Sequence, residues 1–303
     1  MDIRAIFMGL AFALMWSSAF TSARIIVADA PPLYSLSLRF FISGLIGVAI
    51  AKALGQSWRL TRAQWKAVLI FGVCQNALYL GLNFVAMQWV EASLAAIIAS
   101  TMPLMVAFAG WTLFGDRLRP MAAFGLVAGV IGVALIMGAR LTGGVDMVGV
   151  AFCFIAAAGL TVATLSVRQA SAGGNLMMIV GLQMFVGAAV LVVFAAVLET
   201  PTFTPSLRLL AAFSYTLLVP GLLATFVWFA LVGRIGAVKA ATFHFLNPFF
   251  GVAVAAVLLG EALGWLDILG VAVITVGILA VQLSKQRPTP RATTPLPKTG
   301  NPT

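Results

Sequence analysis

The chain has 303 residues, of which 62% are hydrophobic and only 9% are charged, and its formal net charge is +10. A soluble domain averages about 25% charged residues, so this composition indicates a membrane protein and excludes an ordinary soluble domain. An excess of positive charge can indicate a nucleic-acid-binding protein, but its distribution between the loops favours an effect of membrane topology.

Ten apolar runs are each long enough to cross a bilayer, which takes about 20 apolar residues. Only helices and closed barrels satisfy the backbone within lipid, and these runs do not alternate as barrel strands do, so we expect an all-α membrane protein. The first run is longer than the apolar core of a signal peptide and is therefore interpreted as a span. The predicted spans are residues 3–27, 34–53, 66–88, 92–114, 120–138, 147–168, 176–198, 207–232, 237–259 and 264–283. The short connections between them leave no room for a soluble domain.

Lysine and arginine residues are distributed unequally over the two ends of these spans. If the N-terminus is cytoplasmic, all but four of the 18 lie on the cytoplasmic side. The four on the opposite side are Arg24, Arg39, Arg140 and Arg208. Cytoplasmic loops of membrane proteins are enriched in Lys and Arg, so we expect both termini to lie in the cytoplasm.

The two halves of the chain contain related sequences, because residues 92–118 match residues 237–263 without a gap. Pro103 corresponds to Pro248, and Asp116 corresponds to Glu261. The identical pairs also include Ala92/Ala237, Ala95/Ala240, Ala96/Ala241, Gly115/Gly260, Leu118/Leu263, Gly125/Gly270 and Gly132/Gly277. Each half has five spans, an odd number, so the second half must enter the membrane from the opposite side. We therefore predict two inverted five-helix repeats, residues 1–140 and 145–283, around a central cavity.

The last segment of the chain, residues 284–303, differs in composition from the spans. It contains five prolines among threonines and basic residues, which predicts a disordered, basic cytoplasmic tail. Such a tail is expected to have at most a weak attraction to anionic membrane lipid.

A polar stripe runs along one face of the third predicted span. Asn76, Tyr79 and Asn83 are spaced three or four residues apart, which places them on the same side of a helix. Amide groups facing lipid would be costly, so this face should contact protein or a watery cavity. The stripe is interpreted either as one wall of a substrate site or as a set of hydrogen bonds between helices. The matching face of the eighth span carries Trp228, so a polar wall would be opposed by an aromatic one.

Both matching prolines interrupt predicted spans. Pro248 has no N–H and pushes against the carbonyl of His244, and Pro103 does the same to Ala99. A carbonyl freed at mid-membrane can bind an ammonium group, and a kinked helix can bend during gating, although a kink can also serve packing alone. His244 is the only histidine and shares a helix face with Asn247. It is a candidate substrate-binding residue or, alternatively, a core histidine that holds a backbone carbonyl.

Three large aromatic residues, Trp16, Tyr79 and Trp228, lie deep in predicted spans, and we expect them to line the cavity. No Asp or Glu lies deep in a span, and the sequence has no zinc-protease motif and no phosphate-binding loop. We therefore expect a protein that is not an enzyme and has no cofactor or metal site, with Cys74 and Cys153 as buried free thiols. A zwitterion would suit the candidate site, with Asn and His for its carboxylate, freed carbonyls for its ammonium and aromatic and Met surface for its side chain.

The sequence around each proline resembles the EamA-type pattern of the drug/metabolite transporter superfamily. In both halves, small residues precede a mid-helix proline, Phe-Gly-Asp116 or Leu-Gly-Glu261 follows, and two glycines seven residues apart come next. The opening segment Trp16-Ser-Ser-Ala-Phe is similar to that family's first helix. Asp116 departs from the pattern, which usually has glutamate at this position. Within the superfamily, the chain looks most like bacterial exporters of aromatic and other amino acids.

This resemblance implies ten helices, a central cavity and export of a small metabolite. We therefore expect a multi-pass exporter of amino acids in the bacterial inner membrane, working by alternating access on aromatic and other neutral amino acids. The alternatives are export of another small metabolite or a hydrophobic drug, a channel, or a membrane scaffold that does not transport. The expected partners are a zwitterionic amino acid and membrane lipid, not nucleic acid, and no protein partner is indicated. The expected substrate-binding residues are Trp16, Asn76, Tyr79, Asn83, Trp228, His244 and Asn247, with Pro103 and Pro248 as kink or gating residues.

Overall fold

The structure is a computed structural model that describes residues 3–142, 144–166 and 174–286, and the secondary structure of this part is entirely helical. Within it, ten helices are long and apolar enough to span a membrane. They are α1 (Ile3–Asp29), α2 (Pro32–Ala53), α3 (Arg62–Ala86), α4 (Ala92–Phe114), α5 (Pro120–Gly138), α6 (Met147–Ser166), α7 (Leu176–Leu198), α8 (Leu207–Ile235), α9 (Lys239–Leu259) and α10 (Trp265–Ser284). The prediction of an all-α membrane protein with ten spans is thus confirmed.

The last helix extends beyond the last predicted span. The last helix continues to Gln286, so the expectation of disorder from residue 284 is wrong for its first three residues. The helix persists because Ser284 is buried and its carbonyl accepts a hydrogen bond from the guanidinium of Arg119, at 2.9 Å. The rest of the tail, residues 287–303, and the end of the sixth predicted span, residues 167–168, lie outside the described residues.

Four helices depart from regular α-helix near the middle of the membrane. α4 is interrupted at Thr101, and Pro103 lies in the first turn of the segment that follows. α9 contains a tight 3₁₀ turn, Thr242–Leu246, and Pro248 again lies in the first turn of the next segment. The N–H that proline lacks has no helical partner in a first turn, so each proline is accommodated where the helix begins again.

Wide π-helical turns occupy the middle of α3 and α8, over Phe71–Leu80 and Leu217–Leu223. Pro220 lies within the second of these turns and contributes no N–H to the ladder of hydrogen bonds, which favours a local change in winding. The match between residues 92–118 and 237–263 corresponds to a shift of 145 residues. With this shift, the two π-helical turns overlap. Such turns are frequent at functional sites, because they re-aim side chains without ending the helix.

Glycines allow two pairs of helices to pack backbone against backbone. Between α5 and α10, a Cβ atom on Gly277 would lie 2.7 Å from the carbonyl oxygen of Gly125. Between α2 and α7, a Cβ atom on Gly47 would lie 3.1 Å from the Cα atom of Gly181. A side chain at these positions would separate the backbones, so each pair forms a tight seam between one helix from each half of the chain.

Carboxylates from one half of the chain cap helices of the other half. Both oxygens of Glu199, after α7, accept hydrogen bonds from N–H groups at the start of α2, at 2.9–3.1 Å. Glu261, after α9, accepts two from the start of α4, at 2.8 and 3.0 Å. On the side of the N-terminus, the amide oxygen of Gln56 accepts from the N–H of Met178 in α7, at 3.0 Å. The first turn of a helix has unsatisfied donors and a positive dipole end, so the two carboxylates stabilise these junctions.

We expect Glu261→Ala to lower the free energy of unfolding by about 1–3 kcal/mol, since it removes two charge-assisted hydrogen bonds from the start of α4. The melting temperature of the purified protein in one detergent measures this effect. Arg208→Ala, which removes an exposed charge at the same end of the molecule, is the control and should melt close to wild type. Equal melting temperatures for Glu261→Ala and this control would show that the cap contributes nothing.

Candidate functional site

A central cavity of about 460 Å³ lies between α1–α4 and α6–α9. On one side it extends to Gln64, Thr164 and Leu176, which lie within three residues of the ends of α3, α6 and α7. Those ends are on the side of the molecule where α1 begins. Along α1 the cavity stops at Trp16, halfway through the span, so it is open on the side of the N-terminus and closed on the other.

An aromatic cluster forms the wall of this cavity at mid-membrane. The ring of Phe12 lies 4.8 Å from that of Trp228 and 5.7 Å from that of Trp16, measured between centroids. His244 packs edge-on against Phe12 at 5.2 Å, and its ring lies 5.2 Å from that of Trp228. Because α1, α8 and α9 each contribute to the cluster, its shape depends on how these three helices pack.

The imidazole of His244 is oriented by Asn247, one turn further along α9. The side-chain amide nitrogen of Asn247 lies 3.0 Å from Nδ1 of His244. With the amide as donor, Nδ1 accepts, so the neutral ring carries its proton on Nε2. His244 borders the cavity, and Nε2–H makes no hydrogen bond to another described residue, so it is available as a donor to a ligand.

The polar stripe predicted on the third span does not form a single wall. Asn76 borders the cavity, but its amide nitrogen donates to the carbonyl of Gln183 in α7, at 3.0 Å. Asn83 is buried, and its amide nitrogen donates to the carbonyl of Tyr79 in its own helix, at 2.8 Å. Tyr79 borders the cavity, and its hydroxyl makes no hydrogen bond to another described residue. The π-helical turn at Phe71–Leu80 changes the angular spacing of side chains, which is why the expected common face is divided.

The structure places five of the seven predicted substrate-binding residues around the central cavity. These five are Trp16, Asn76, Tyr79, Trp228 and His244. Asn83 borders a separate void of about 50 Å³ next to Trp16 and Tyr79. Asn247 borders another void of about 50 Å³, together with Pro103. Pro248 is buried and does not border these three spaces.

The expectation that Pro248 frees the carbonyl of His244 is wrong. That carbonyl accepts a hydrogen bond from the N–H of Asn247, because the chain tightens into a 3₁₀ turn before the proline. At the matching position in α4, the N–H of Thr101 donates to the carbonyl of Ile98, at 3.0 Å. The interruption of α9 therefore changes the winding of the helix without leaving the carbonyl of His244 free for an ammonium group.

Sequence reasoning missed several polar residues of the cavity. Gln64, Gln75 and Gln183 border it, and so does Arg39. Arg39 was assigned to the charges of the outer side, but it is buried seven residues into α2. The sequence signal was present, since a single arginine inside an apolar run is a candidate functional residue.

Comparison with known proteins identifies the family to which this chain belongs. The EamA-like transporter family matches the chain twice, over residues 3–138 and 147–283. The chain belongs to this family. It is a multi-pass membrane protein of a transporter family, in agreement with the ten membrane-length helices of the described part.

Similar proteins include other transporters of comparable length. The uncharacterized transporter YvbV of Bacillus subtilis (strain 168) is 26% identical over 275 residues, 88% of either chain. The uncharacterized inner membrane transporter YedA of Escherichia coli (strain K12) is 27% identical over 288 residues, 91% of this chain and 90% of YedA. The aromatic amino acid exporter YddG of Ancylobacter novellus is 29% identical over 139 residues, 46% of this chain and 48% of YddG. A solved protein structure, 21% identical, covers 95% of this chain and 100% of its own with a TM-score of 0.67, which shows a shared fold.

Access to the cavity can be tested with two threonines of α6. Thr164 borders the cavity, whereas Thr161, one turn away, is buried outside it. After Cys74 and Cys153 have been replaced by serine, we expect Thr164→Cys to react with a membrane-impermeant maleimide from one side of the membrane only. Thr161→Cys should react much more slowly from either side. Similar rates for the two variants would contradict a water-accessible cavity open on one side.

Proposed function

We propose that this protein exports aromatic and other neutral amino acids across the bacterial inner membrane by alternating access. The observation that carries this proposal is the cluster of Phe12, Trp16, Trp228 and His244 around a mid-membrane cavity. Aromatic faces favour an aromatic or apolar side chain, and the same faces attract an ammonium group. The partial similarity to the aromatic amino acid exporter YddG supports the same substrate class.

The polar residues of the cavity have complementary roles in this proposal. His244 donates from Nε2–H to the substrate carboxylate, and the Tyr79 hydroxyl supplies a second polar contact. Asn76 holds α3 against α7 and so fixes the wall beside the substrate. Asn83 and Asn247 come into contact with substrate when the small voids beside them join the cavity during the transport cycle.

The interruptions at Pro103 and Pro248 are the proposed points of bending. Each separates two helical segments of one span, so the segments can change their angle without breaking a regular ladder of hydrogen bonds. α4 and α9 both border the cavity, at Met102 and His244, so bending there changes the shape of the site.

The proposed orientation has both termini in the cytoplasm, as the distribution of Lys and Arg favours. The cavity is open on the side of the N-terminus, so in this orientation it is accessible from the cytoplasm. An exporter takes up its substrate on that side. The maleimide experiment above also tests this orientation, since Thr164→Cys should then react in inside-out vesicles and be protected in right-side-out ones.

A second candidate is export of a hydrophobic drug or another small metabolite. The observation that favours it is the largely apolar lining of the cavity, which includes Phe40, Phe71, Leu160 and Met184. A cavity of about 460 Å³ is of the size that holds drug-like molecules in other proteins, roughly 300–1,000 Å³. The two candidates differ in whether a substrate needs both an amino and a carboxyl group.

Counterflow in proteoliposomes distinguishes these functions. Vesicles are loaded with one unlabelled amino acid, and the uptake of radiolabelled aromatic, branched-chain and charged amino acids is measured. We expect saturable uptake of the aromatic ones that is accelerated by internal substrate. Flux that neither saturates nor exchanges would indicate a channel. No uptake of any amino acid, with uptake of an apolar cation under the same conditions, would support the second candidate.

Trp228→Ala should raise the KM for an aromatic amino acid about tenfold, because it removes a wall of the aromatic cluster and leaves a cavity in its place. Trp228→Phe should recover most of the loss. Trp265→Ala is the matched control, since Trp265 is 72% exposed at the start of α10 and distant from the site in the fold. If both alanine variants transport alike at equal protein levels, Trp228 does not belong to the substrate site.

A further inference from the structure

Arg39 is a buried cation within the membrane-spanning part of α2. It follows Pro32 by seven residues, which is about 10 Å along a helix with a rise of 1.5 Å per residue. Only 7% of its surface is exposed. A charged group at this depth is costly, and in most membrane proteins it is paired with an opposite charge or faces a watery cavity.

No partner within the described residues compensates this charge. The Nε atom of Arg39 is buried and unpartnered, and the guanidinium makes no hydrogen bond or ion pair to another described residue. Its Cζ atom lies 5.3 Å from the centroid of the Phe40 ring, a contact that offsets a part of the desolvation. Both oxygens of Glu199, the carboxylate at the start of the same helix, are occupied by the backbone of α2.

The guanidinium lies at the closed end of the central cavity. Arg39 borders both the central cavity and the void of about 50 Å³ beyond it, as do Trp16, Tyr79, Leu80 and Pro220, so it lies between the two spaces. On the side of α8, the guanidinium lies next to Gly221, where a Cβ atom would be 3.4 Å from Nη2. Of the described residues that border the cavity, none is acidic, so Arg39 gives the site a positive charge.

We propose that Arg39 is an anion-binding subsite that holds the carboxylate of the transported solute by paired hydrogen bonds from its guanidinium. The planar fork of arginine matches the two oxygens of a carboxylate, and the low dielectric of the site strengthens the contact. A solute carboxylate would also provide the counter-charge that the protein lacks. This inference rests on the proposed transport function and makes Arg39 the main partner of the carboxylate, with His244 as an additional donor.

The carboxylate can belong to a zwitterionic amino acid or to a carboxylic acid without an amino group. Three probes with the same aromatic ring distinguish these sources, namely phenylalanine, 3-phenylpropionate and 2-phenylethylamine. Their binding to the purified full-length protein in lipid nanodiscs can be followed by intrinsic tryptophan fluorescence. We expect wild type to bind both carboxylates and to bind the amine at least about tenfold more weakly. Tighter binding of phenylalanine would indicate a zwitterionic amino acid as the source of the carboxylate, and tighter binding of 3-phenylpropionate would indicate a carboxylic acid without an amino group.

The variants are Arg39→Gln, Arg39→Lys and, as matched control, Arg24→Gln. Arg24 lies in α1, and its guanidinium donates to the carbonyl of Met87, away from the central cavity. Arg39→Gln should weaken binding of both carboxylates about 10- to 100-fold, Arg39→Lys should weaken it less, and Arg24→Gln should leave it unchanged. Removing a buried charge that lacks a partner should leave the melting temperature without ligand equal to or above that of wild type.

Several outcomes would overturn the proposal, and one further outcome would refute the proposed function alone. Unchanged carboxylate binding by Arg39→Gln would exclude Arg39 from the site, and so would equal binding of the amine and the carboxylates by wild type. Absence of carboxylate binding by wild type would overturn it as well. A lower melting temperature of both Arg39→Gln and Arg39→Lys would assign the arginine a structural role. Carboxylate binding that depends on Arg39, without amino acid counterflow, would refute the proposed function and leave the anion-binding subsite standing. Amino acid counterflow with an unchanged KM in Arg39→Gln would support the proposed function and refute the subsite.

Discussion

Within the hydrocarbon of a membrane, every backbone N–H and C=O must find its partner inside the protein, and this requirement shapes the whole molecule. Irregular backbone is tolerated there only where it is covered by protein or lines a cavity. In this chain the π-helical turns of α3 and α8 and the interruptions of α4 and α9 all belong to helices that border the central cavity. α5 and α10, which do not border it, contain no such interruption. The departures from α-helix therefore mark the site.

The same requirement explains the chemistry of the helix ends. Glu199 and Glu261 satisfy backbone donors of α2 and α4 on the closed side of the molecule, and both act across the two halves of the chain. On the open side, the equivalent junction at the start of α7 is capped by the neutral amide of Gln56. A carboxylate binds the positive end of a helix more strongly than an amide does. The helix caps made by Glu199 and Glu261 on the closed side are thus stronger than the cap made by Gln56 on the open side. This difference agrees with the observed conformation, in which the cavity is open on the side of the N-terminus.

The fold was predictable from the sequence because the controlling signal is simple. The ten apolar runs are long and do not alternate, so they can cross lipid only as helices. The matched positions of Pro103 and Pro248 predict interruptions in corresponding spans. The details of the site were not predictable in the same way. A face assigned by a spacing of three or four residues assumes regular α-helix, and the π-helical turn around Asn76 and Tyr79 breaks that assumption. Arg39 was overlooked because each charged residue was assigned to one side of the membrane without regard to its depth in the span.

The glycine seams have a mechanical consequence. Gly125 and Gly277 join α5 to α10, and Gly47 and Gly181 join α2 to α7, so each seam fastens a helix of the first half to a helix of the second. Backbones in such close contact cannot separate without opening a gap that no neighbouring side chain fills. In the proposed alternating access, the two covalent halves of the chain are therefore not the moving parts. A rearrangement that exposes the cavity to the other side would move bodies that each contain helices from both halves, with the backbone contacts of both seams kept.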